Sequence, residues 1–185
     1  EKGSYKVSPK INYYDTINLL FLKNKPSLYE SHKINKWEYF YQNGKPMEKT
    51  LFKTGDTTEL ILQFFDTSGI ALITNGKGTR KTYFADGKLR SLVEYKSGLK
   101  HGKFTLFKPN GQLRKNGFYK NGLMDSTWQE TFIIIDTTYQ ITQFKDGFKS
   151  GKFKEFYPEG NISMKGEFKN NFKDGYWEYY FVNGK

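Results

Sequence analysis

Polar and apolar positions along this chain follow no helical period: no apolar stripe at 3.6-residue spacing persists. Short aromatic-rich segments that also carry polar residues, such as NKWEYFYQNG at 35–44 and GYWEYYFVNG at 175–184, end in Asn-Gly, Asp-Gly or Glu-Gly. Glycine, Asn and Asp tolerate the positive φ that tight hairpin turns demand. A stretch of about ten residues per arm is too short for helix pairs and suits strands of ~5 residues. The pattern predicts β-hairpins, one after another, with a second glycine-containing turn leading from each to the next.

The hairpins recur on a fixed ruler. Nine residues after Gly78, Gly102, Gly151 and Gly175 stand Gly87, Gly111, Gly160 and Gly184, preceded by Asp86, Asn110, Glu159 and Asn183. Eleven residues further on come Gly98, Gly122 and Asn171, in YKSG, YKNG and FKNN. The unit is therefore 24 residues long, running 78–101, 102–125 and 151–174, with a partial unit over 175–185. Segment 126–150 fits as a 25-residue variant without its first turn glycine; upstream, the ruler reaches 35–59 and a truncated 60–77. About seven units thus cover 35–185. Residues 1–34 stand apart, and INLLFLKN at 17–24 reads as a strand that could cap the first hairpin.

Aligned units show columns. The third position holds Trp37, Leu62, Arg80, Phe104, Trp128, Phe153 and Trp177; the sixth holds Phe40, Phe65, Tyr83, Phe107, Thr131, Phe156 and Tyr180. Phe52, Tyr95, Tyr119, Phe144 and Phe168 form a third column on the returning strand. Stacked hairpins would turn these columns into ladders of cross-strand contacts. Positions three and six differ in parity, so either both faces carry aromatics or a bulge re-aims one column.

Composition supports sheet. The 34 aromatic residues outnumber the 28 Ile, Leu and Val, and aromatics favour strands. The absence of cysteine excludes disulfides and thiolate chemistry. The longest apolar runs, Leu19 to Leu22 and Phe132 to Ile135, are too short for a membrane-spanning helix. The net charge of +11 is diffuse, with 11 basic against 8 acidic residues in 1–77 and 19 against 11 in 78–185. No basic run resembles a nucleic-acid arm, so no specific nucleic acid is expected as a partner.

The strings YKSGLKHGKFTLFKPNGQL, YKNGLMDSTW and FKNNFKDGYWEYYFVNG carry a closer likeness. They resemble the MORN-variant repeat family, of the YwqK type that bears an antitoxin label, over roughly 60–185 and more loosely over 35–59. The resemblance implies an all-β fold: an elongated, twisted, open-ended antiparallel sheet of successive β-hairpin repeats, generally used for protein or membrane-surface contact. Two units depart from the pattern: 126–150, which reads FIIIDTTYQ where the first turn belongs, and the truncated unit from Leu60.

Chemistry-bearing constellations are sparse. His101 sits at a turn position, where other units have Asp125, Ser150 and Asp174, and His32 lies in an unassigned polar stretch. Glu38, Glu130, Glu155 and Glu178 fall at the fourth and fifth unit positions; the repeat explains their spacing without the isolated acid pair a hydrolase needs. No catalytic, metal-binding or cofactor-binding residue is assigned, and the chain is not expected to be an enzyme. Two binding candidates stand out. Lys53, Lys96, Lys120, Lys145 and Lys169 occupy one turn position and would form a ladder toward anions, or simply keep the sheet soluble. Trp37, Tyr39, Tyr41, Trp177, Tyr179 and Tyr180 form a candidate aromatic surface, or cover the sheet as ladder contacts.

The expected function is non-catalytic: protein–protein interaction through an extended β-sheet surface, with an antitoxin-like role as the case the resemblance implies. The alternative is peripheral binding to an anionic membrane or envelope polymer through the lysine ladder. The first residue is Glu1 rather than Met, which reads as a processed or trimmed chain. Together with the composition, this favours an exported or envelope-attached protein over a cytoplasmic one. Oligomeric state and partner identity stay open.

Overall fold

The computed structural model describes residues 35–52, 58–131 and 139–184. Thirteen strands lie among them: β1 (Asn35–Phe40), β2 (Pro46–Phe52), β3 (Glu59–Phe65), β4 (Ala71–Thr74), β5 (Lys77–Tyr83), β6 (Leu89–Lys96), β7 (Leu99–Phe107), β8 (Leu113–Lys120), β9 (Leu123–Thr131), β10 (Tyr139–Lys145), β11 (Phe148–Phe156), β12 (Ile162–Lys169) and β13 (Phe172–Tyr179). They form one open antiparallel sheet in chain order, each strand bonded to its sequence neighbours. The chain is all-β, a sheet of successive hairpins. The capping strand expected at 17–24 lies outside the described residues.

Two kinds of turn alternate along the chain. In the first kind, Gly87 N–H donates to Phe84 O (3.0 Å) and Phe84 N–H to Lys88 O (2.8 Å), closing a three-residue loop. The Asp86 carboxylate accepts from Lys88 N–H at 3.1 Å, and Asn110 does the same for Gln112 at 3.0 Å. In this loop only the glycine is left-handed, with φ of 80° at Gly87, 83° at Gly111 and 93° at Gly160. The second kind is a two-residue loop with both residues left-handed: Ser97-Gly98 (53°, 81°), Asn121-Gly122 (50°, 88°), Asp146-Gly147 (49°, 87°) and Asn170-Asn171 (51°, 72°). The paired positive φ expected at the first turns is therefore found at the second. The reason is loop length: a two-residue loop needs φ > 0 at both residues, whereas a three-residue loop needs it only at the last.

The chain divides into two compact units. The first comprises residues up to Gly78 with Ser97–Leu99, and buries Ile61, Phe64 and Ile73 beside Thr50 and Glu48. Its turns are tied by backbone bonds: Ile61 N–H to Gly98 O, Gly98 N–H to Gly76 O and Gly76 N–H to Leu62 O, all 2.9 Å. The second unit holds Thr79–Lys96 and the chain from Lys100 onward. There each second turn docks on the start of the strand that follows the preceding second turn, through Gly122 N–H to Lys100 O, Gly147 N–H to Met124 O and Asn171 N–H to Lys149 O, at 2.8–3.0 Å. One orphan N–H per turn thus locks hairpin to hairpin.

The core of the second unit rests on bulges. The pairing of β8 with β9 runs from Asn116↔Gln129 to Phe118↔Asp125, so Gly117 faces Ser126, Thr127 and Trp128. Likewise Gly166 faces Gly175, Tyr176 and Trp177. The bulge swings each indole over its glycine: a Cβ added at Gly117 or Gly166 would fall inside the Trp128 or Trp177 ring. Trp128 is only 2 % exposed, wedged between Phe104, Tyr119 and Phe144 with ring centroids 5.4, 5.0 and 6.3 Å away. Its Nε1–H donates to the carbonyls of Phe118 and Asp125, both at 3.1 Å. Trp177 lies in the same way against Phe153 (5.5 Å) and Phe168 (5.0 Å).

Ring size and seat size are matched. Eleven residues before Trp128 and Trp177 stand Gly117 and Gly166; eleven before Phe104 and Phe153 stand Val93 and Thr142. Phe153 pairs with Thr142 across its bulge, and both are buried. An indole therefore goes with a bare glycine and a phenyl with a residue that has a Cβ branch. Burying an aromatic side chain of ~150–250 Å² at ~25 cal/mol per Å² contributes about 4–6 kcal/mol, so each seat is a principal source of stability.

The open question of the sixth position resolves on parity. From Phe153 to Phe156 the pairing of β11 with β10 runs without a register shift, so alternation holds there. Phe156 pairs with Tyr139 and stacks on it, centroids 4.2 Å apart and planes within 6°, on the face opposite Phe153. Both faces carry aromatics; the register shift at the sixth position, between Glu155 and Phe156, adds its extra residue, Ser163, to β12 and so does not re-aim Phe156.

Two substitutions separate the two roles of glycine. Gly111→Ala puts a Cβ into open space and costs only the left-handed backbone, about 1–2 kcal/mol. Gly117→Thr should cost more, about 3 kcal/mol, by overpacking the Trp128 seat. Adding Trp128→Phe to Gly117→Thr recreates the Thr142–Phe153 pair and should recover at least about 1 kcal/mol, measured by urea unfolding of the single and double variants.

Candidate binding surface

Within the second unit, the face that carries Trp128 and Phe153 is closed by lysine stems. Lys100 Nζ lies 5.2 Å from the Tyr119 ring, Lys149 Nζ 5.0 Å from Phe168 and Lys173 Nζ 4.3 Å from Trp177. Each of these lysines is the second residue of its strand, so the repeat places one cation on each ring. This lysine column differs from the one singled out by turn position and was missed there. Its trace in the sequence is a lysine two residues before Gly102, Gly151 and Gly175.

The carboxylates that share a unit position do not face one another. Glu130 pairs with Lys115 (2.7 Å), Glu178 with Lys165 (3.2 Å) and Glu38 with Lys49 (2.9 Å), each with its cross-strand neighbour. Glu155 accepts from Gln140 Nε2 and from Ser163 Oγ. These are structural pairings, and they leave no two carboxylates poised across a reacting bond. His101 Nδ1 sits 3.2 Å from the Asn121 side-chain oxygen and 3.4 Å from its backbone nitrogen, a contact that braces the second turn.

The lysines singled out by turn position are exposed. Lys96, Lys120, Lys145 and Lys169 each end a strand just before a two-residue turn; Lys53 lies outside the described residues. Across three of those turns Lys120 pairs with Leu123, Lys145 with Phe148 and Lys169 with Phe172. These three apolar residues are 50 %, 50 % and 76 % exposed. Cation and exposed apolar group thus alternate along the turn edge, on the face opposite Tyr119, Phe144 and Phe168. Leu123 leans on the next turn, 3.4 Å from where a Cβ of Gly147 would stand.

The aromatic candidates divide. Trp37 and Tyr39 are half-buried, and Tyr41 is half-buried with its hydroxyl donating to Phe65 O at 2.6 Å. Tyr157 repeats that tie, donating to Tyr180 O at 2.8 Å. Trp177 is half-buried in its ring cluster, Tyr180 half-buried under Lys165, and Tyr179 exposed with Lys173 Nζ 2.7 Å from its hydroxyl. Tyr180 also donates its hydroxyl to Glu178.

On the same face as Leu123 and Phe148 lies a groove of about 400 Å³, lined chiefly by Lys103, Thr105, Asn116, Phe118, Gln129 and Ile141, with Thr127 at its edge. Phe118 is 45 % exposed there. It belongs to the junction with the divergent unit that begins at residue 126.

Four segments of the chain, 34–54, 77–97, 100–121 and 149–170, match the model of the MORN repeat variant. These matches to the MORN repeat variant recur along the chain between residues 34 and 170. The matched segments fall on the hairpins β1–β2, β5–β6, β7–β8 and β11–β12. In the last three of these the match starts at or next to the first residue of the outgoing strand. The MORN match leaves out β9 and β10, whose unit has lost its bulge glycine. No curated protein matches the sequence.

Tyr180 and Lys165 hold the Glu178 carboxyl below its ordinary range, the Tyr180 hydroxyl first and the Lys165 ammonium second. A lowered folded value means that this contribution is present at neutral pH and is lost as pH falls through it. Tyr180→Phe should raise the Glu178 pKa toward the ordinary value by more than Lys165→Met does, read by NMR titration of the side-chain carboxyl.

Proposed function

We propose that this chain is a non-catalytic docking module that binds another protein through its sheet surface. The observation that carries the reading is the turn edge of the second unit, where Leu123, Phe148 and Phe172 stay exposed although the repeat could place polar residues there. Exposed apolar side chains in a row, rimmed by charge, are what protein interfaces use as anchors. Tyr179, and the half-buried Trp177 and Tyr180, are further candidate contacts in the second unit, and the half-buried Trp37, Tyr39 and Tyr41 are candidates in the first. Partner neutralisation of the antitoxin kind is a special case of such docking. An exported or envelope-attached location fits the aromatic- and lysine-rich composition.

A second reading draws on the same edge. Lys120, Lys145 and Lys169 stand directly across from the three apolar residues. Cations beside insertable side chains suit an anionic membrane or envelope polymer.

Affinity capture on the purified chain separates the two at about 0.1 M and about 0.5 M salt. Docking expects a discrete protein that is retained at both salts and lost with the triple variant Leu123→Ser, Phe148→Ser, Phe172→Ser. It also expects retention when Lys120, Lys145 and Lys169 become Gln. Binding that vanishes at the higher salt and in the Gln variant, with anionic vesicles as the only ligand, would favour the second reading.

A further inference from the structure

Four amide side chains of the second unit are half-buried: Asn116, Gln129, Gln140 and Gln143. Gln140 donates to Glu155, and Gln143 accepts from Lys152 N–H at 2.7 Å. Asn116 and Gln129 have no hydrogen-bond partner among the described residues. These two free amides are cross-strand neighbours on β8 and β9, and Thr105 on β7 stands next in the same row. All three line the groove described above.

The repeat does not call for amides there. The place of Asn116 is taken by Leu92 and Ile141 in the neighbouring units, and that of Gln129 by Thr105 and Lys154. Half-burying a primary amide without a partner costs solvation that nothing in the chain returns, so two such groups side by side in a groove mark a place for a ligand. Each amide offers two donors and an acceptor oxygen, and the hydroxyls of Thr105 and Thr127 donate and accept at once. The apolar part of the lining is small: Phe118, a ring 45 % exposed, and Ile141. Lys103, the cross-strand neighbour of Phe118, is the groove's cation. Its ammonium makes no ion pair among the described residues, and the Glu94 carboxylate is engaged by the Lys103 backbone N–H at 2.8 Å.

We propose that this groove binds a saccharide that carries a carboxylate, a hexuronate. Asn116, Gln129 and Thr105 hold its hydroxyls, its C–H face lies on Phe118, and Lys103 meets the carboxylate. A sugar needs that combination, because its hydroxyls donate and accept in turn while one face of its ring is apolar. A peptide would need sockets for apolar anchors, and a single exposed ring with one isoleucine supplies few. A pyranose ring is about as long as the ~4.8 Å between neighbouring strands, so a sugar chain running across the strands offers one ring to each. The proposal goes beyond the docking reading: Leu123, Phe148 and Phe172 are not among the groove's lining residues, so either can fail while the other holds.

The test is NMR titration of the full chain with digalacturonate, galacturonate, lactose, glutarate and acetyl-alanyl-alanine amide, each up to about 10 mM at constant ionic strength. The reporters are the backbone amides of Gly117 and Phe118 and, in the wild type, the side-chain NH₂ groups of Asn116 and Gln129. Digalacturonate should move them saturably, lactose more weakly, and glutarate and the blocked peptide not at all. Galacturonate tells the source apart: it binds as well as the dimer if the ligand is a free acid sugar, and more weakly if it is a stretch of polymer, and either result upholds the site. Asn116→Leu with Gln129→Thr puts in each place the residue of the preceding unit, so this double variant should stay folded and bind digalacturonate at least about tenfold more weakly. Lys103→Gln should bring digalacturonate down to the level of lactose. Unmoved reporters, an equal response to glutarate, undiminished binding in the double variant, or a preference for digalacturonate that survives Lys103→Gln would overturn the proposal. So would an equal response to the blocked peptide, which would give the groove to a polypeptide instead.

Discussion

A ring laid flat on a bare strand is the constraint from which the second unit follows. A single sheet has no second layer to bury its face, so apolar contact has to be made among side chains of that one face. Standing side chains of adjacent strands touch only at their flanks. An indole bent over Gly117, with its N–H on the carbonyls of Phe118 and Asp125, instead covers the backbone and fills the gap between Phe104, Tyr119 and Phe144. The bulge is what allows that bend, and the left-handed residue at its start, Gly102, Ser126, Gly151 or Gly175, is what allows the bulge. Glycine and aromatic content are thus one requirement expressed twice.

Turn stacking fixes the rest. In the second unit each of the turns at 121–122, 146–147 and 170–171 gives one N–H to the strand that starts at the preceding two-residue turn, so hairpins are held in register at that edge while rings hold them at the centre. The same register places Lys100, Lys149 and Lys173 over rings on one face and leaves Lys120, Lys145 and Lys169 beside exposed apolar groups on the other. A repeat built this way presents a row of equal groups on its surface. The row is broken at Ser126, which stands where Gly102, Gly151 and Gly175 stand in the other units.

Much of this was legible before any coordinates. The 24-residue ruler, the hairpins and the ring columns follow from glycine and aromatic spacing, because turn positions demand particular backbone angles and strands demand parity. Other features needed geometry. Spacing alone marked both turns but could not tell a two-residue loop from a three-residue one, since Asn-Gly suits either. Gly117 and Gly166 lie off the turn ruler, and their service as ring seats emerges only when the residue eleven further on is placed above them. Turn position selected Lys120, Lys145 and Lys169, which are exposed, as candidates toward anions, yet passed over the lysines that cover the rings. The glutamates do not share one face, because Glu38 and Glu178 stand at the fourth unit position and Glu130 and Glu155 at the fifth, and neighbouring positions alternate.

The most direct test of ring-on-glycine packing is the proton chemical shift of the glycine Hα resonances. Protons held against the face of an indole are shifted upfield by its ring current. The Hα resonances of Gly117 and Gly166 should lie far upfield of those of Gly111, which has open space around it. Ordinary shifts at Gly117 and Gly166, indistinguishable from Gly111, would mean that the indoles do not lie on the strand and that the core is built in another way.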